Sequence, residues 1–189
     1  MSGALLTFDK AGCVRGGRTL FAQLDLRLEA GGALLVTGPN GAGKSSLIRL
    51  AAGLLRPAAG RVERSAAAAL ADESPALDPR APLGRALGFW AGLDGSDARA
   101  GLAAFGLERL REVPVRMLST GQRKRAVLAR VAASGAPLWL LDEPANGLDE
   151  AGLDCLAAAV SAHRAGGGAV LAASHQPLPL GGAQRLALA

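Results

Sequence analysis

The sequence has no tyrosine, and aromatic residues make up only 3% of its 189 positions. Half of the residues are hydrophobic, so a core must be built mainly from Ala, Leu and Val. Much of the alanine sits in short runs such as Ala66 to Ala69 and Ala157 to Ala159. A GC-rich genome explains these as well as any function does. Cysteine is scarce as well. Cys13 and Cys155 are far apart and form no CxxC pair, which argues against a disulfide framework or a zinc site. No run of about 18 apolar residues is free of charge, so no membrane-spanning helix is expected. The stretch from Met1 to Lys10 lacks a basic region followed by an apolar core, so no signal peptide is expected either. There is no internal repeat and no disordered tail. The expectation is one soluble, cytoplasmic domain over 1–189, large enough for a real core. Any membrane association would come through a partner.

The formal net charge is +5. That permits contact with nucleic acid or an anionic membrane and demands neither. Basic residues are dispersed except for Arg123, Lys124, Arg125 and Arg130, which share one predicted helix. Such a run reads as a solvated helix face, and no nucleic-acid partner is expected.

Residues 4–9 and 24–28 read as strands, the second because Leu24, Leu26 and Leu28 alternate with Asp25, Arg27 and Glu29. The apolar run 33–37 reads as a strand buried on both faces. A loop over 38–43 leads into a helix over 45–55, closed by Pro57 and Gly60. Pro75, Pro79 and Pro82 open a stretch of different texture, with amphipathic segments at 83–93, 96–105 and 107–112. Helix 119–134, strand 138–142, helix 152–164, strand 169–173 and a last strand at 184–188 complete the reading. The pattern is an α/β core with a small helical subdomain inserted at about 72–134.

Three motifs carry the chemistry. Gly38-Pro39-Asn40-Gly41-Ala42-Gly43-Lys44-Ser45-Ser46 lies between a strand and a helix, the context that a P-loop requires. Its glycines let backbone N–H groups converge on phosphate oxygens at a positive helix end. Lys44 would reach the β- and γ-phosphates of ATP, and the Ser45 hydroxyl would sit on Mg2+. Asp142 closes an apolar run. It therefore lies at the carboxyl edge of the sheet, where open α/β sheets bind ligands. It would hold Mg2+, with Glu143 polarising the attacking water as general base. Ser119-Thr120-Gly121-Gln122 fits a capping box at a helix start. That leaves a helix end suited to phosphate.

With Leu118 before it, the third motif resembles the signature of ABC-type ATPases, usually LSGGQ, with Thr120 in place of the first glycine. The order of the three motifs is similar to that family across nearly the whole chain. The resemblance implies a P-loop NTPase fold of ABC type: a mainly parallel core sheet, an antiparallel β part and the inserted helical subdomain. It implies that Asn146-Gly147-Leu148-Asp149 is the D-loop and that His175 is the switch histidine, contacting the γ-phosphate and orienting the water with Glu143. His163 is read as an ordinary residue. Two positions depart from the family pattern. The adenine-stacking aromatic is replaced by the segment Cys13 to Gly17, where Arg15 is expected to stack instead. The metal-side glutamine is missing from Ala71 to Pro75, where Glu73 or Ser74 would substitute.

One P-loop and one signature cannot complete a site in such a family, so the resemblance implies a homodimer formed on ATP binding. Three classes follow: the ATPase of a membrane complex, a soluble ABC protein of translation or DNA repair, and a nucleotide-binding module without turnover. The stretch from Lys44 to Ser119 is too short for a repair-type coiled coil, the chain has room for one cassette, and Glu143 and His175 are both present. The membrane complex is favoured, with its integral subunits docking near residues 73–93. Arg18 to Phe21, Phe89-Trp90, Ala136 to Trp139 and Ser174 to Leu178 make the chain similar to the haem exporter ATPase of bacterial cytochrome c maturation. The short length fits that type. The resemblance implies a peripheral protein on the cytoplasmic face of the inner membrane, coupling ATP hydrolysis to haem export or haem-chaperone release. The other reading is an ATPase of an unrelated small importer or exporter. The sequence has two histidines and no haem attachment motif, so no direct haem binding is expected.

Overall fold

A computed structural model describes residues 3–74 and 76–189. Met1 and Ser2 of the leader reading, and Pro75 of the proline cluster, lie outside the described residues.

Five strands form a parallel sheet in the order β5 (Ala68–Ala71), β6 (Leu138–Asp142), β7 (Ala169–Ala173), β3 (Ala33–Thr37), β8 (Gln184–Ala187). Every residue of β6 and β7 is buried, as continuous apolar runs in the middle of a parallel sheet should be. The pleat sends alternate side chains to opposite faces. Leu34, Val36, Leu138, Leu140 and Leu171 face α1 (Lys44–Ala52) and a second sheet. Leu35, Trp139, Leu141, Val170 and Ala172 face α4 (Thr120–Ala133) and α5 (Glu150–Ala165). Two apolar layers therefore clamp the strands whose ends carry Thr37, Asp142 and Ala173.

The second sheet is antiparallel, in the order β2 (Arg18–Glu29), β1 (Ala4–Arg15), β4 (Ala59–Arg64). Both β1 and β2 run well beyond the expected 4–9 and 24–28, because they pair through to Arg15 and Arg18 at the hairpin tip. β4 corrects the reading of Gly60 as a terminator. Gly60 has φ 69 and lies against the bulge between Asp9 and Gly12. A Cβ there would stand 2.2 Å from the Lys10 carbonyl oxygen, so glycine permits the strand to pass. Helix α1 stops at Ala52 rather than Leu55. Gly53 takes a left-handed cap, its N–H donating to the carbonyls of Arg49 and Leu50.

Between β5 and β6 the chain is helical: α2 (Leu83–Asp94), α3 (Ala98–Ala104), short 3-10 turns at Glu108–Leu110 and Val115–Met117, then α4. A helix over 107–112 does not form. Gly106 at φ 61 and Pro114 bracket that segment, and the carbonyls of Arg111 and Val113 accept instead from the N–H groups of Gly84 and Leu83. The α3–α4 packing is close. A Cβ at Gly101 would stand 2.1 Å from the Ala129 carbonyl oxygen. His163 behaves as an ordinary residue. It stacks on Trp139 at 3.9 Å and 11° between planes, and burial pushes its imidazole below the usual histidine range.

The basic run on α4 is corrected as well. Only Arg123 is exposed; Lys124, Arg125 and Arg130 are half-buried. Arg130 lies over the Trp90 ring at 4.9 Å and donates to the Leu70 carbonyl. Arg130 therefore packs inward, and of the run only Arg123 sits on a fully solvated face.

Candidate active site

A cleft of about 610 Å3 opens where β3 and β6 end, lined by the P-loop, by Asp142 and Glu143, and by His175. The backbone that shapes it leaves no room for a side chain at two positions. Gly38 has φ 145, and a Cβ on it would stand 2.4 Å from the Leu188 carbonyl oxygen. Gly43, at φ 104, would meet Leu20 at 3.1 Å. Both positions therefore require glycine, and the loop lies pressed between the hairpin and the C-terminal strand.

Lys44 is buried, and its Nζ donates to the carbonyls of Gly38 at 2.8 Å and Pro39 at 3.2 Å. The same ammonium lies 3.9 Å from Glu143 Oε1. Ala42, within the loop, is buried. Asn40, Gly41, Gly43, Ser45 and Ser46 line the cleft.

Asp142 is 5% exposed, and its Oδ1 has no hydrogen-bond partner among the described residues. Burial pushes its carboxyl above the usual carboxylate range. The Ser45 hydroxyl pulls it back, while Glu143 and Glu73 add to the rise. An orphaned carboxylate oxygen beside a hydroxyl is a hard-oxygen pair suited to Mg2+. Among the described residues no group of three His, Cys, Asp or Glu side chains could hold a metal unaided. A divalent ion here would complete its shell with phosphate oxygens and water, the usual arrangement for Mg2+.

Glu143 has φ 46, a left-handed conformation that costs a non-glycine residue about 1–3 kcal/mol. It is held by its own N–H, which donates to the Ala173 carbonyl at 2.9 Å. The turn aims the side chain, 13% exposed, at His175: Oε2 is 2.9 Å from Nδ1 and accepts from the His175 backbone N–H at 3.3 Å. Gln176 Nε2 lies 3.3 Å from His175 Nε2. A proton on Nδ1 satisfies both contacts, with Nε2 accepting from the glutamine amide.

The signature does not line this cleft. Ser119 and Gln122 form the expected capping box, with Ser119 Oγ accepting from the Gln122 N–H at 3.2 Å and Gln122 Oε1 from the Ser119 N–H at 2.9 Å. Gly121 packs on the D-loop, where a Cβ would stand 3.0 Å from the Gly147 carbonyl oxygen. Thr120 faces a neighbouring groove. Asp149 caps α5, accepting from the Gly152 N–H at 2.9 Å. Arg15, exposed at the hairpin tip, does line the cleft. Of the two substitutes for glutamine, Glu73 lines the cleft, whereas Ser74 turns back to donate to the Asp72 carboxylate.

Leu20, Arg49 and Asn146 also line the cleft, and sequence reasoning gave them no role there. Arg49 could have been found, since it stands one helical turn beyond Ser45.

Residues 21–146 match the ABC transporter family, and the chain belongs to that family. It is 59% identical to the cytochrome c biogenesis ATP-binding export protein CcmA of Sphingopyxis alaskensis, over 93% of this chain and 92% of that protein. It is 49% identical to the protein of the same name from Zymomonas mobilis, over 98% and 85%. Among solved structures, an ATP-binding subunit of an ABC transporter superposes with TM-score 0.80 at 22% identity, covering 90% of this chain and 79% of that one. CbiO1 of Clostridium perfringens, part of the transporter complex cbiONQ, gives 0.76 at 21%, covering 92% and 79%. These structures bear on the fold alone. Among the described residues no helix is long and apolar enough to cross a membrane.

Proposed function

We propose that the chain is the ATP-hydrolysing subunit of an ABC-type membrane complex for cytochrome c biogenesis, coupling hydrolysis to haem export or haem-chaperone release. The biogenesis role is supported by the relatives of that name. Hydrolysis is supported by one observation above others: Lys44, Asp142, Glu143 and His175 meet in a single cleft.

ATP would enter with its phosphates over the N-terminus of α1 and its base toward Arg15 and Leu20. Lys44 would exchange the carbonyls of Gly38 and Pro39 for phosphate oxygens, so that its ammonium donates to an anionic acceptor in place of neutral ones. Ser45 and Asp142 would hold Mg2+, which supplies neutralisation of phosphate charge. Glu143, held by its backbone and by His175, would accept the proton of a water as the water oxygen bonds to the γ-phosphorus. The bond to the β–γ bridging oxygen breaks and ADP leaves. His175 would orient the water with Glu143 and meet the γ-phosphate, its Nε2 leaving the Gln176 amide and carrying a proton where it donates to a phosphate oxygen.

The signature residues Ser119 to Gln122 lie outside the cleft of their own chain, which supports a site completed by a second copy. Such a dimer would form on ATP and place Asp149 and its loop at the interface. The integral membrane subunits would dock near residues 73–93, on the face where Phe89 and Leu93 of α2 are 64% and 67% exposed. The protein would then be peripheral at the cytoplasmic face of the inner membrane, with no haem bound by this subunit.

Turnover of the purified chain beside Glu143→Gln tests the reading. ATP hydrolysis that falls by at least about 100-fold in the variant, in the usual range for a lost general base, supports it. Equal rates would overturn it.

A further inference from the structure

The hairpin of β1 and β2 gives the cleft two side chains, Arg15 and Leu20. Each is aimed by a local feature of the backbone. Cys13 pairs with Phe21 and Val14 with Thr19, so β2 spends one more residue than β1 at this point. The extra residue is Leu20. A bulge of this kind turns a side chain out of the ladder, and Leu20 is turned into the cleft against Gly43 of the P-loop. Arg15 pairs with Arg18 as the last rung before Gly16 and Gly17. Both glycines have positive φ, 55 and 76, as a two-residue hairpin turn requires. Side chains alternate along β1. Cys13, two residues earlier, is buried in the core, so Arg15 continues that face past the edge of the core and into the lining of the cleft.

A triphosphate laid on Lys44, Ser45 and Asp142 leaves the hairpin side chains for the nucleoside. Neither can accept a hydrogen bond, since a guanidinium has donors only and leucine has no polar atom. Among the described residues no aromatic side chain lines the cleft. A site rejects the wrong base strongly only when that base leaves one of its polar groups unpaired. Adenine is marked by an amino group where guanine has a carbonyl oxygen, and both carry N7 as an acceptor. Edge-on, the Arg15 guanidinium can meet N7 of either purine and the oxygen of guanine, and nothing on it accepts from the adenine amino group. Face-on, it acts through its charge on a ring, and every base offers a ring face. In neither pose does Arg15 favour adenine.

We propose that the hairpin holds the base without discriminating it, so that the site selects the phosphate chain and takes guanine nucleotides as well as adenine ones. Arg15 and Leu20 set that specificity, one as a planar cation and the other as an aliphatic branch, each offering a face and no acceptor. This rests on the nucleotide reading of the cleft and widens its substrate class from ATP to purine nucleoside triphosphates. Arg15 is exposed, and stacking persists there because it draws on contact area as well as charge.

The test is calorimetric binding of ADP and of GDP, each with Mg2+, to the full chain and to Arg15→Ala and Arg15→Trp. Diphosphates bind without turnover, and melting curves establish that each variant is folded. GDP should bind the natural protein within about tenfold of ADP, or more tightly. Arg15→Ala should weaken both nucleotides by about fivefold or more, the share of one stacked base. Arg15→Trp, which offers a ring face without charge, should bind both as well as the natural protein does. A preference for ADP beyond about tenfold overturns the proposal. So does undiminished binding of both nucleotides by Arg15→Ala. An Arg15→Trp variant as weak as Arg15→Ala overturns it too, because the guanidinium would then serve the phosphates. In each of these cases ADP still binds the natural protein, and only this inference fails. If the natural protein binds neither nucleotide, the reading of the cleft fails and takes this inference with it.

Discussion

In the α/β core every residue of β6 and β7 is buried. The turn beyond β6 is tied by the bond from the Glu143 N–H to the Ala173 carbonyl, and the end of β7 by the bond from the Ser174 N–H to the Val36 carbonyl. In the helical segment between β5 and β6, α2 leaves Phe89 and Leu93 largely exposed, and Met117 at the end of the second 3-10 turn is 68% exposed. One region spends its apolar residues on fixing a few polar atoms to within hydrogen-bond distance. The other keeps part of its apolar surface uncovered. Reacting groups need fixed geometry, whereas an apolar patch is useful when a partner covers it. The contrast is what supports proposing catalysis at the strand ends and partner contact on the helices.

Matched truncations would break this contrast most sharply. Leu140→Ala, at a site 1% exposed, should cost about 2–5 kcal/mol in urea unfolding. Leu93→Ala should stay within about 0.5 kcal/mol. Similar losses at both sites would mean that α2 is core in solution. Next in size, Lys44→Ala should weaken ATP binding on the order of 100-fold by calorimetry, from loss of charge-assisted bonds to phosphate. Unchanged binding would place the phosphates elsewhere.

Asp142→Asn gives a smaller effect of opposite sign. A carboxyl whose pKa is raised in the folded state holds its proton more readily folded than unfolded. Its ionised form therefore destabilises the fold at neutral pH, and that cost disappears as pH falls through the folded pKa. Asparagine removes the cost, so the nucleotide-free protein should melt roughly 2–4 °C higher. A lower melting temperature would mean that the ionised Asp142 stabilises the fold.

The smallest effect concerns His163, away from the cleft. Its pKa is lowered by burial, so below the unfolded value of about 6.5 the unfolded chain takes the proton more readily and stability falls with pH. His163→Gln should flatten the stability curve between pH 7.5 and 5.5 by roughly a few tenths of a kcal/mol. Identical slopes would contradict the burial of the ring.

What could be read from the sequence was local. The P-loop, the apolar run ending at Asp142 and the capping box at Ser119 each announce themselves within ten residues. The tertiary contributions did not. Leu20 and Asn146 reach the cleft because the hairpin and the turn after Glu143 converge on the P-loop, whereas Arg49 lay within reach of helical spacing from Ser45. β4 went unread because it shows no alternation: five of its six residues are exposed and it is fixed by pairing with β1. β5 was hidden among alanines that composition alone could explain. Lys124 was misjudged because a charge run on a helix gives no sign of which charges a neighbouring segment will cover.

The most direct test of the central claim, that the cleft is completed by a second copy, is sedimentation velocity of Glu143→Gln with and without ATP. The account predicts a monomer without nucleotide, and with ATP a dimer that Ser119→Arg abolishes while each chain still binds nucleotide. A monomer under both conditions, with ATP bound, would contradict it.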